Sequence, residues 1–220
     1  MADKMNAYYK AGILTIIVFL LGAVFGIWLD NYRLSSIRET ISQIDVNWND
    51  ARLLNVYFGM LGKNYCNLAL EENLLYNDKI YKEGLEIEKA AEANRFTPEL
   101  EQEERRYTLL QTQFWFNSQE LKDKCNFTYN NVVHLYKQED LTVGSDMDNK
   151  LQSSILMDLK EKCGNKIMLI PLAANLNLTI IDTITKQFNI TTYPAIIVDE
   201  KTVFQGLTSL DSLEEVVHCS

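Results

Sequence analysis

Histidine and cysteine are scarce in this chain. Two histidines, His134 and His218, and four cysteines, Cys66, Cys125, Cys163 and Cys219, are spread over 220 residues. No C-x-x-C or H-x-x-x-H occurs, which excludes the usual zinc spacings. The first hundred residues contain no histidine, so they hold no Glu-x-x-His pair of the kind a di-iron bundle needs. No metal site and no cofactor are expected. Phosphate loops of the form G-x-x-x-x-G-K-[ST], dinucleotide turns of the form G-x-G-x-x-G and the G-x-S-x-G elbow are also missing. The net charge is −9 and no basic patch is dense, so nucleic acid is not an expected partner. Proline numbers three, and none precedes Pro98. The first 97 residues are therefore free of the strongest helix breaker.

What fills that stretch begins with a long apolar run, AGILTIIVFLLGAVFGIWL, at 11–29. About 20 apolar residues cross a bilayer as a helix, so the membrane is the expected partner of this segment. The alternatives are a cleaved signal peptide, disfavoured by the poor cleavage site in LDNYRLSS, and a core helix, disfavoured because the run is apolar all round. Gly22 and Gly26 form a G-x-x-x-G, a spacing that lets two membrane helices approach, and are candidates for dimerisation.

Lys and Arg tie across the segment and do not set its orientation. Three N-x-T sequons, at Asn126, Asn177 and Asn189, and an even number of cysteines outside the run place the remainder on the extracytoplasmic side of a cell membrane. The three asparagines are glycosylation candidates.

Helical periodicity continues after the run. Leu34, Ile37, Ile41, Ile44 and Trp48 share a face, as do Leu54, Tyr57, Leu61, Tyr65 and Leu68. A break is expected near 45–47 or 59–63. Thr97-Pro98-Glu99 reads as a helix start: a capping hydroxyl, proline at the first position, then an acid on the dipole. One helix therefore ends near Ala93 and another runs from Pro98 to just before Asn126. Its EQEERR run is expected as a solvated face.

The two form an antiparallel hairpin with its tip near Phe96. Cys66 and Cys125 stand nearly equidistant from that tip, roughly 45 Å along the arms. They are expected as a disulfide closing the base. An exposed apolar stripe through Trp48, Tyr57, Phe58 and Trp115 would mark the arm as an assembly surface.

From Tyr129 the period shortens. VVHLYKQ at 132–138, KIMLIPLAAN at 166–175, YPAIIVDE and KTVFQG read as strands. DNKLQSSILMDLKEKCG at 148–164, LTIIDTITKQFNI at 178–190 and a last helix from Ser209 read as helices. The order is β-α-β-α-β-β-α.

This order, with Thr192-Tyr193-Pro194 at the entrance of the third strand and Gly206 before the last helix, resembles the thioredoxin-like superfamily over about residues 130–219. The resemblance implies a cis-proline loop facing a C-x-x-C at the start of the first helix. Here that position reads QEDLTVGSDMDN, 138–149, with no cysteine; Ser145, Asp146 or Asp148 would cap the helix there. Thiol–disulfide exchange at that place lacks its thiolate.

Cys163 and Cys219 sit at the ends of two helices that the thioredoxin-like fold packs on one side of the sheet; they are candidates for a second bridge, the alternative being a buried thiol at Cys163 and a free one at Cys219. The domain reading is a cytoplasmic tail at 1–10, a transmembrane helix at 11–29, a helical hairpin or stalk at 30–125 and a thioredoxin-like domain at 130–219, in an α+β to α/β chain.

The expected function is that of a redox-inactive, membrane-anchored binding, scaffold or chaperone-like module of the cell envelope. It would hold an extended peptide or a protein partner near Thr192, Tyr193 and Pro194, and a homo-dimer is a further expected partner. Two alternatives stand beside it. One is a thiol–disulfide oxidoreductase using Cys163 or Cys219, the latter beside His218. The other is a structural subunit of a membrane complex.

Overall fold

The computed structural model describes residues 2–60, 65–93, 98–137, 143–217 and 219. It divides into two compact units, Met1–Gln43 and Ile44–Ser220.

The first unit consists of the N-terminal part of helix α1, which covers Ala2–Met60. It contains one segment, Gly12–Leu29, long and apolar enough to cross a membrane, with none of it buried. Gly22 and Gly26 lie in this segment, and a Cβ at either would meet nothing within 4 Å.

The second unit is mixed α and β. Helices α2 (Cys66–Ala93) and α3 (Pro98–Cys125) follow α1. Of the two expected break points, the later one is where α1 ends. The span 66–125 makes the hairpin, and residues 30–60 belong to α1. The hairpin tip near Phe96 and the Thr97 cap lie outside the described residues.

The arms pair in antiparallel order. Cys66 is bridged to Cys125, Asn73 Nδ2 donates to Ser118 Oγ, and the Tyr107 hydroxyl donates to the Ile80 carbonyl at 2.9 Å. Gly84 leaves the room that the Tyr107 ring occupies; a Cβ there would run into its hydroxyl.

The C-terminal part follows as β1 (Asn130–Tyr136), α4 (Val143–Cys163), a 3-10 turn at Gly164–Lys166, β2 (Ile167–Ala173), α5 (Thr179–Gln187), β3 (Ala195–Val198), β4 (Thr202–Gln205) and α6 (Leu210–Glu214). The sheet order is β2-β1-β3-β4. β1 and β2 are parallel, and β3 is antiparallel to both β1 and β4.

Side chains alternate across this sheet as a period of two requires. Val133, Leu135, Met168, Ile170, Ala195 and Ile197 pack with α3 and α5. Val132, Ile167, Ile196 and Val198 pack with α4 and α6. The hairpin arm α3 is thus part of the core, contributing the buried Leu110, Phe114 and Trp115.

Several expectations are corrected by this packing. Phe58 and Trp115 are buried, so these two do not add to the exposed stripe that would have favoured an assembly surface; Tyr57 is exposed, and the side chain of Trp48 is outside the described residues. Phe58, at the end of α1, stacks on Tyr65, just before α2, and both join the small core that includes Ala69 and Leu121. Glu103, inside the run expected to be solvated, is buried. β1 begins two residues earlier than periodicity indicated. Helix α4 begins at Val143, so Ser145, Asp146 and Asp148 lie within it and none is its cap.

Candidate functional site

At the C-terminal end of β1 the chain leads toward α4, and β3 begins beside it. Residues 138–142 are outside the described structure, so the described site is built from Lys137, the 189–194 loop and the end of β4.

Pro194 is buried at the entrance of β3, and the Tyr193–Pro194 peptide is cis. Proline suits this place because it has no N–H to offer the ladder. Thr192 is exposed and Tyr193 half-buried. The Lys137 ammonium lies 5.0 Å from the centre of the Tyr193 ring, within cation–π range. Burial, with the Asp182 carboxylate adding to it, pushes the Tyr193 phenol above its ordinary pKa. The hydroxyl therefore stays protonated and can donate to a ligand at neutral pH.

One side chain that sequence reasoning did not single out holds the loop. Gln205 Oε1 accepts from the Thr191 N–H at 2.8 Å and the Thr192 N–H at 3.2 Å. Its Nε2 donates to the Asn189 carbonyl at 3.1 Å. The Gly206 N–H donates to the Pro194 carbonyl at 2.8 Å, and Gly206 takes φ +80, which glycine adopts freely. Among the described residues no hydrogen bond engages the Tyr193 N–H or carbonyl. The loop is thus clamped on both flanks and open at its centre. The available signal was a glutamine ending a strand directly before a glycine, and it is a faint one.

Beneath α4 lies a buried polar layer. His134 on β1 shares the α4 face with Val132 by strand alternation, and burial lowers its pKa to about 4, keeping the ring neutral. Gln152 Oε1 accepts from the Thr208 N–H at 2.7 Å, and its Nε2 donates to the Thr208 carbonyl at 3.3 Å, tying α4 to the segment before α6. Asn149 Nδ2 donates to the Lys137 carbonyl at 2.9 Å.

Both expected disulfides are present, Cys66–Cys125 and Cys163–Cys219, with Cα separations of 5.6 and 4.9 Å. No cysteine is free. The second bridge joins α4 to the C-terminal segment, beside a Lys162–Glu214 ion pair of 2.6 Å. The oxidoreductase alternative needs a thiolate at Cys163 or Cys219, and both sulfurs are committed to this bridge.

The sequon residues Asn126, Asn177 and Asn189 are all exposed and all take positive φ, 55°, 53° and 50°. Asparagine tolerates this region better than most residues, and each sits where the chain turns into or out of a helix.

No family model matches the chain, and no curated protein matches it. Among solved structures the chain is similar to one described as "Structure of a malarial protein", with a TM-score of 0.32 and 17% identity, covering 41% of this chain and 94% of that one. At that TM-score the likeness carries no inference.

Proposed function

We propose that this chain is a membrane-anchored, redox-inactive thioredoxin-like module that binds extended polypeptide at the Thr192–Tyr193–Pro194 loop. The observation that carries the reading is the state of that loop. Its flanks are fixed by Gln205 and Gly206, while the Tyr193 N–H and carbonyl are left without a partner among the described residues. A peptide backbone laid beside Tyr193 would satisfy both groups by strand addition, and the fixed flanks lower the ordering cost of doing so.

The thioredoxin-like part of the reading is supported by the element order, by the β2-β1-β3-β4 sheet and by Pro194 at the entrance of β3. The redox-inactive part is supported by the lack of cysteine in 138–149 and by the pairing of all four thiols. The anchor is the Gly12–Leu29 segment. Placement of the second unit outside the cytoplasm is supported by its two disulfides, which persist in oxidising compartments.

The test is binding of a permanently unfolded, carboxymethylated polypeptide to the full chain in detergent, followed by fluorescence anisotropy. Tyr193→Ala with Pro194→Ala, checked for native far-UV circular dichroism, is expected to weaken binding at least about tenfold, or about 1.4 kcal/mol. Unchanged affinity in a folded double variant would remove the loop as the site.

A further inference from the structure

We propose that Asn126 and Asn177 carry N-linked oligosaccharide.

The observation is a coincidence of backbone, exposure and sequence at the same residues. Among the described residues, the asparagines with positive φ are Asn126, Asn177 and Asn189, and these are the three that open N-x-T sequons. Each is exposed, and no hydrogen bond engages its carboxamide among the described residues. The middle residue of each sequon turns inward: Leu178 and Ile190 are buried and Phe127 is half-buried. The asparagine and the threonine on either side of it are exposed together.

Helix termination accounts for part of this pattern. The Phe127 N–H donates to the Lys122 carbonyl at 3.1 Å, and the Ile190 N–H to the Thr185 carbonyl at 2.8 Å. These are the long closing bonds of helices that end on a left-handed residue followed by an apolar one. Such an ending uses neither a carboxamide nor a hydroxyl, and glycine fills the left-handed place at lower backbone cost. At the third sequon the fold also employs the threonine: the Thr191 N–H and Oγ1 both meet Gln205 Oε1, at 2.8 and 3.2 Å. The proposal is therefore confined to the other two. Thr128 Oγ1 has no hydrogen bond among the described residues. Thr179 is the first residue of α5, directly after the N-cap Leu178, which makes no side-chain cap bond. A hydroxyl at 178 would cap the helix; at 179 it does not.

What folding leaves unused at both places is an exposed carboxamide with an exposed hydroxyl two residues on, the acceptor pattern of N-glycosylation. Both side chains are exposed, so an attached sugar displaces no part of the core. The donor is an oligosaccharide linked to a polyisoprenoid phosphate carrier, delivered by a membrane transferase. Asparagine Nδ2 forms a bond to the anomeric carbon and gives up one proton. The bond from that carbon to the carrier phosphate breaks, and its electron pair stays on the phosphate oxygen. The inference rests on the extracytoplasmic placement in the proposed function.

The test is peptide mass spectrometry of the full chain purified from its own cell membranes, with free thiols alkylated before digestion. Peptides containing Asn126 and Asn177 are expected to carry a saccharide mass. Thr128→Ala and Thr179→Ala are each expected to abolish the adduct on their own peptide and spare the other. Thr128→Ser and Thr179→Ser are expected to retain it. These changes touch exposed side chains, and both disulfides report that each variant is folded.

A bare asparagine at either site, in a chain with both disulfides formed, overturns the assignment of that site and leaves the placement standing. Bare asparagines with four alkylated cysteines overturn the assignment and the placement together. An adduct that survives Thr→Ala also overturns the proposal, because the linkage is then not the sequon's.

Discussion

Lys122 on α3 and Asp199 in the β3–β4 turn meet as an ion pair of 2.6 Å with both side chains largely shielded from water. The same carboxylate accepts from the Asn131 N–H at 2.8 Å and from Asn130 Nδ2 at 2.5 Å. It thereby fixes the hairpin arm, β1 and the turn to one another, and holds Asp199 at φ +50. Asp199→Ala leaves a shielded ammonium and a buried N–H without an acceptor. Each such orphan costs about 1–3 kcal/mol, so a loss of about 3 kcal/mol is expected in urea denaturation of the full chain in detergent. Asp199→Asn keeps one acceptor oxygen and tolerates positive φ, and should lose about half as much.

The neighbouring Glu200 also takes positive φ, +59, in a turn closed by the Lys201 N–H on the Val198 carbonyl, a backbone geometry that favours glycine. Burial, then the carboxylates of Asp123 and Asp199, push its pKa up. A raised carboxyl contributes stability below its unfolded pKa and loses it as pH rises, so the charged form is the unfavourable one at neutral pH. Glu200→Gly removes both the backbone cost and the crowded charge. It should stabilise by about 1 kcal/mol at pH 7 and by less at pH 4, read as urea midpoints at the two values.

The sheet and the hairpin were legible because their signals are local. Thr97-Pro98 announces α3, short β-branched apolar runs announce β1 and β3, and Gly164, at φ +55, marks the end of α4. The cysteine pairing followed from the positions of the helix ends. What failed was anything decided by contact at a distance. Periodicity identifies an apolar helix face and is silent on what covers it. Whether Phe58 and Trp115 were surface or core was therefore open in the sequence, and Tyr65 and the sheet bury them. Glu103 read as solvated because its neighbours are charged, while its own position on the helix turns it inward. Gln205 is one glutamine in a strand until the Asn189–Thr192 loop is folded against it.

His134 carries a pH dependence. Its folded pKa is about 4, against 6.5 in the unfolded chain, because burial disfavours the imidazolium. Below pH 6.5 the unfolded chain takes up a proton that the folded one refuses, so stability falls as pH drops from about 6.5 toward 4, by about 3 kcal/mol at most. His134→Leu should flatten that part of the curve. The measurement is the difference in urea midpoint between the two proteins at pH 7 and at pH 4.5, which cancels the carboxylates common to both.

The Cys66–Cys125 bridge closes a loop of 59 residues, for which chain-entropy reasoning gives about 4 kcal/mol. The base it ties is also where α1 packs, through Phe58, Tyr65, Ala69 and Leu121. Replacing both cysteines by serine should lower the melting temperature and expose the α1–α2 connection to limited proteolysis before the sheet unfolds. Replacing Cys163 and Cys219 should instead loosen the last residues after α6 first, with α2 and α3 still protected.

Gln205→Ala tests whether the clamp and the proposed binding loop are one device. The substitution releases the Thr191 and Thr192 N–H groups and the Asn189 carbonyl, all on exposed backbone that water can satisfy. The global cost should therefore stay near 1 kcal/mol. Locally the effect should be larger: amide exchange at Thr191 and Thr192 is expected to rise at least about tenfold while β3 stays protected. Peptide affinity should fall with it, because a loop free to move must be ordered anew on binding. Faster exchange with unchanged affinity would separate the two and place recognition elsewhere than at Tyr193.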